Sequence, residues 1–164
     1  MRIITPPDFF QTFRNAYILL DTSAFIDAFL NPSEFGKFFN ELKSHDATFL
    51  SLDSVKVEFL KGAPTAEKYN QKIDFFDQIV DACLPMTGNV VTNLYKMVQI
   101  YKEEGKSLSI TDLSLGATLM QYRKSLYLLT KNTTEFPTDI FNLISHFTVS
   151  YRKGIHVYGI YNIV

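Results

Sequence analysis

Tyr17-Ile18-Leu19-Leu20-Asp21-Thr22-Ser23-Ala24-Phe25-Ile26 decides how the chain is read. Four residues without charge are too few for a helix and read as a buried strand. Asp21, Thr22 and Ser23 then interrupt the apolar run, and a new apolar period follows at once. That is the signature of a strand handing over to a helix N-terminus. In an open parallel sheet, ligands sit beyond the carboxyl ends of the strands, which puts Asp21 at the mouth of a crevice. Taken alone, Asp21 or Thr22 at this position reads first as a helix cap, because short polar side chains satisfy the orphan N–H groups there.

The same strand-then-helix pattern recurs downstream. Ala47–Leu52 is a second short strand, and Asp53-Ser54 opens a helix that stops at Gly62 before Pro64. Leu126–Thr130 is a third strand, ended by Lys131-Asn132. Between the first two strands, Asn31-Pro32-Ser33-Glu34 starts a helix reaching Ser44. Apolar spacing predicts two long helices, Thr65 to Leu84 and Asn89 to Glu104, forming an arm against the sheet. Ser109-Ile110-Thr111-Asp112 opens another helix with capping-box spacing. Residues 1–16 read as a lead-in with one or two helical turns after Pro6-Pro7, packing Phe9, Phe10 and Phe13 on the domain. Past Pro137, Phe147–Tyr151 and Ile155–Ile163 alternate like strands about a turn at Arg152-Lys153-Gly154. Strands alternating with helices imply an α/β domain, with a mostly parallel central sheet covered on both faces.

Bulk properties narrow the function classes. The 164 residues carry a formal net charge of −1, so no global basic field marks a non-specific nucleic-acid binder. One cysteine, Cys83, on an apolar helical face is expected in the core and fits a reducing compartment. His45, His146 and His156 are scattered, without zinc-site spacing. No apolar run reaches membrane-span length, and Asp8, Pro6 and Pro7 break any secretory leader, so a soluble chain is expected.

Asp21, Glu58, Asp112 and Asn132 all fall near a strand end or helix start, along one edge of such a sheet. Glu58 lies among Val55, Val57, Phe59 and Leu60, where burying a lone carboxylate is costly. Each has an ordinary alternative: capping for Asp112, a solvated helix position for Glu58, a turn for Asn132. Clustered carboxylates repel by roughly 4 kcal/mol per pair at about 4 Å and an effective dielectric near 20. All-oxygen donors suit a hard cation such as Mg²⁺ or Mn²⁺, and such a site serves phosphodiester hydrolysis.

Four ordered pieces resemble the PIN-domain ribonucleases, most of all the VapC-type toxins of toxin–antitoxin pairs: Leu19–Ile26, Val55–Gly62, Ile110–Thr118 and Leu128–Phe136. The likeness runs from about residue 16 to 137, within a single PIN-like domain spanning 1–164; residues 138–164 match it poorly. It implies a divalent-metal-dependent endoribonuclease with Asp21, Glu58 and Asp112 as metal ligands, Glu58 alternatively positioning a metal-bound water. Thr22, Ser23, Thr130 and Glu135 would support them. The family often has Asp where this chain has Asn132 and Asp-Phe where it has Glu135-Phe136, so the fourth acidic place falls to Asn132 or Glu135. Lys56, Lys61 and Lys131, with Arg123 and Lys124, are the candidate RNA contacts. The resemblance also implies a protein antitoxin, a homodimer and a cytoplasmic location. Asn132 and the charge of −1 leave a second expectation open, a PIN-like binding module that cleaves weakly or not at all.

Overall fold

The computed structural model describes residues 1–103, 105, 107–136, 140–152 and 154–163. Expectations at Glu104, Pro137 and Lys153 therefore lie outside the described residues. The first parallel unit follows the sequence closely: β2 (Tyr17–Leu20) leads into α2 (Thr22–Leu30), and α3 (Pro32–Ser44) returns the chain to β3 (Thr48–Leu52). α4 (Asp53–Lys61) follows β3 without a loop, and Gly62 ends it. α7 (Ile110–Tyr122) precedes β5 (Tyr127–Thr130). β5, β2 and β3 pair in parallel, so the ends of β5 and β2 and the start of α4 share one edge of the sheet.

Three expectations are corrected. The helix expected over Thr65–Leu84 is α5 (Ala66–Ile79) followed by a strand, β4 (Ala82–Leu84), which pairs in parallel with β3. Asp81 causes the switch. Its N–H donates to Phe49 O at 2.8 Å and its Oδ2 accepts from Phe49 N–H at 2.7 Å, which draws the chain onto the sheet edge. Cys83 consequently lies exposed on an edge strand, not in the core. In the lead-in, α1 (Phe9–Thr12) is the expected turn with Phe9 and Phe13 buried, but β1 (Arg2–Ile4) precedes it. Three residues carry too short an alternation to be read as a strand; β1 forms because β6 (Asn142–Tyr151) offers it an antiparallel edge.

β6 begins earlier than the alternation indicates, and Leu143/Ser145 marks a bulge where it pairs with β7 (Gly154–Asn162). The sheet order is β1-β6-β7-β5-β2-β3-β4, and only β7 and β1 run against the other strands. The alternation of β7 sends side chains to two layers. Tyr158 stacks on Phe147 at 4.9 Å and meets Phe35 of α3, while Phe9 of α1 and Phe38 of α3 also close on Phe147. Tyr161 faces the other way, toward Phe136, which packs on Phe141 beside Gly116 of α7. α6 (Gly88–Glu103) lies on α7, whereas α5 lies on α2 and α4. Among the described residues no helix is long and apolar enough to cross a membrane.

Candidate active site

Asp21 occupies the N-cap position of α2 with extended backbone, yet its side chain makes no capping bond. The carboxylate is used elsewhere. Ser23 Oγ donates to Asp21 Oδ2 at 2.8 Å and Thr130 Oγ1, at the end of β5, donates to the same oxygen at 2.6 Å. Each hydroxyl is itself oriented by a backbone donor: Lys131 N–H reaches Ser23 Oγ at 3.1 Å, and Asn132 N–H reaches Thr130 Oγ1 at 3.0 Å. A hydroxyl that accepts an N–H has its own hydrogen left for another acceptor. Both hydrogens serve Oδ2, so Oδ1 is engaged by neither hydroxyl. Asp21 is only 2 % exposed. Burial pushes its carboxyl up by more than the Thr130 and Ser23 hydrogen bonds draw it down, and the charge of Asp112 adds to the rise.

Asp112 stands in the first turn of α7. Ser109 caps that helix by accepting Asp112 N–H at 3.1 Å, and the Ser109 hydroxyl donates to Asp112 Oδ2. The capping reading of this segment therefore holds for Ser109, while the half-buried Asp112 carboxylate also faces the site. Glu135, in the turn after β5, completes the acidic group. Burial raises its carboxyl to about 7, the charge and hydrogen bond of Asp112 and the charge of Asp21 push the same way, and Asn132 opposes them. Glu135 Oε2 is buried without a hydrogen-bond partner. The structure thus gathers Asp21, Asp112, Asn132 and Glu135, with Ser23 and Thr130 behind them.

Glu58 meets this group only at one remove. It is exposed, contrary to the burial its apolar neighbours imply, because Val57 and Glu58 both fall on the outer face of α4 while Val55 and Phe59 turn inward. Thr22 Oγ1 donates to Glu58 Oε2 at 3.0 Å, so the Thr22 hydroxyl steadies Glu58, while the Ser23 and Thr130 hydroxyls hold Asp21. Of the lysines, Lys56 pairs with Asp77 at 2.6 Å and Lys131 Nζ with Asp27 at 3.0 Å, while Lys61 is exposed at the end of α4. Arg123 and Lys124 are exposed in the short turn after α7.

Among the described residues, no three or more His, Cys, Asp or Glu side chains are set to hold a metal ion. The donors that do converge nonetheless suit a hard divalent cation. They are oxygens, two of the carboxyls are driven upward by burial and by neighbouring carboxylate charge, and one oxygen is buried and unpartnered. Mg²⁺ is commonly held by one or two carboxylates, with water and substrate phosphate completing its shell. Asp21 with Asp112 or Glu135 could supply the one or two carboxylates that such an ion needs.

One residue of this neighbourhood escaped the sequence reading. Asp27 lies inside the apolar run of α2, between Ile26 and Ala28, and is 7 % exposed. A carboxylate in apolar company needs a partner, which is true of buried Asp27 and not of exposed Glu58.

The chain is a single α/β domain with a PIN-like fold. It is similar to the VapBC-1 structure from nontypeable Haemophilus influenzae, at 21 % identity and a TM-score of 0.58, over 73 % of this chain and 89 % of that one. It is also similar to VapBC2 from Rickettsia felis bound to a DNA fragment from their promoter, at 17 % identity and a TM-score of 0.52, over 62 % of this chain and 78 % of that one. No family model and no curated protein matches the sequence.

Proposed function

We propose that the chain is a divalent-metal-dependent endoribonuclease that hydrolyses RNA phosphodiester bonds, acting in the cytoplasm as the toxin of a type II toxin–antitoxin pair. The observation that carries the reading is the convergence of Asp21, Asp112 and Glu135, distant in sequence, at one end of the sheet with Glu135 Oε2 buried and unpartnered. Asp21 and Asp112 would hold Mg²⁺ or Mn²⁺, with Glu135 in the fourth acidic place beside Asn132 and Glu58 at the rim. The cation, when bound, would lower the pKa of its water and stabilise charge on the phosphodiester. Ser23 and Thr130 fix the direction of the Asp21 carboxylate. Lys61 is the exposed lysine nearest in sequence to Glu58 and is the candidate phosphate contact. Likeness to VapBC complexes supports a protein antitoxin as partner, and a homodimer is proposed with it.

Incubating the protein with RNA and Mn²⁺ tests this. Wild type should cleave, chelation should stop it, and Asp21→Asn or Asp112→Asn should lower the rate by about 100-fold or more, the scale of losing one electrostatic contact to the reacting centre. Equal cleavage by wild type and both variants would refute it. A second reading, a PIN-like module that binds RNA or protein without cutting, is favoured by Asn132 and by the lack, among the described residues, of a preset three-ligand group. RNA binding without turnover at any divalent concentration would select it.

A further inference from the structure

Asp27 has no part in the reading above, yet three donors converge on its Oδ2. Tyr158 OH lies at 2.7 Å, Tyr151 OH at 3.0 Å and Lys131 Nζ at 3.0 Å, with His156 Nδ1 further out at 3.8 Å. These groups come from the end of β5 and from both strands of the β6–β7 hairpin. Burial alone would raise the Asp27 carboxyl, but the bonds from Tyr158 and Lys131, the Lys131 charge and the Tyr151 bond hold it below the usual carboxylate range. It is a buried anion at neutral pH, and its partners are fixed in return.

Two of those partners lead to one residue. Lys131, gripped by Asp27 at its side-chain end, donates its backbone N–H to Ser23 Oγ at 3.1 Å. Tyr158, gripped at the same oxygen, has its hydroxyl 3.4 Å from Ser23 O. Ser23 is therefore contacted at hydroxyl and carbonyl by groups that Asp27 holds, and it spends its own hydrogen on Asp21. A simple hairpin anchor would need the tyrosines but not this return to the first turn of α2. We propose that Asp27 is a positioning residue: it clamps Lys131 and Tyr158 so that the Ser23 hydroxyl stays aimed at Asp21 Oδ2. It follows that Lys131 serves the site from behind and is not one of its free phosphate contacts. The last part of the test rests on the metal-site reading; the first does not.

Amide hydrogen exchange on the full-length chain reads the clamp directly. In Asp27→Asn and in Lys131→Met, the amide at position 131 should exchange about ten-fold faster or more, with Ile18 and Leu19 of β2 unchanged, and Lys131→Arg should keep wild-type protection. Calorimetric titration with Mn²⁺ then reads the consequence. Ser23→Ala and Asp27→Asn should each weaken binding by about ten-fold, the scale for groups that orient a ligand, and the double variant should be no weaker than either. Unchanged Lys131 exchange in Asp27→Asn overturns the proposal, as do wild-type Mn²⁺ affinity in that variant or additive losses in the double. If Asp27→Asn does not fold, Lys131→Met decides by the same outcomes. If wild type binds no Mn²⁺, the metal reading fails and exchange decides alone: loss confined to Lys131 supports the clamp, and retained protection removes it.

Discussion

Carboxylates define this protein at the scale of single residues, and their environments push them in opposite directions. Glu135 is raised from 4.5 to about 7 by burial and by Asp112, whereas Asp27 is held low by its hydroxyl and ammonium donors. The sign for Glu135 is definite. Between pH 4.5 and about 7 the folded chain keeps a proton that the unfolded chain releases, so this residue's contribution to stability is lost as pH rises through that window. In metal-free buffer, Tm should therefore fall less steeply from pH 4.5 to 7 in Glu135→Gln than in wild type; equal slopes would contradict the environment assigned to Glu135. Position along the edge was legible for Asp21, Asp112 and Asn132, because strand ends and helix starts are marked in the sequence. Burial was not legible. Asp27 and Glu58 both sit among apolar neighbours, and only the rotation of each helix against its layer separates a buried anion from an exposed one.

Elements built on local punctuation were readable, and those decided by tertiary pairing were not. β2, α2, α3 and α4 begin and end at Asp21, Asn31, Asp53 and Gly62 as the residues indicate. The segment 65–84 has helical spacing throughout, but Asp81 bonds Phe49 twice and the last residues join the sheet. β1 exists only because β6 is there to pair with it. The β6–β7 hairpin carries a constraint invisible in sequence. A Cβ on Gly159 would lie 2.4 Å from the Tyr161 ring, whose hydroxyl is 3.5 Å from Thr133 O in the turn that bears Glu135. Gly159→Ala should push that ring aside, costing roughly 2 kcal/mol and lowering Tm by about 4–8 °C in thermal melts. Wild-type stability in this variant would show that Tyr161 does not support the turn.

For the molecule as a whole, the parallel block β5-β2-β3-β4 brings the candidate site together, and the antiparallel β7-β6-β1 addition braces it from one side. Fold class was legible because β2 hands over to α2, and β3 to α4, at marked residues, and the four ordered pieces because each lies at or close to a strand end or helix start. The closing of Tyr151 and Tyr158 of the β6–β7 hairpin around Asp27 was not, since it depends on which strand β7 pairs with. Likeness to the VapBC structures covers 62–73 % of this chain at 17–21 % identity. The chemistry is therefore a matter of the side chains themselves, and above all of whether Asp21 belongs to a cation site. A calorimetric titration of the purified chain with Mn²⁺ asks this most directly. A saturable isotherm for wild type that weakens about ten-fold or more in Asp21→Asn is the predicted result. A flat titration for wild type, or superimposable isotherms for the two proteins, would contradict it.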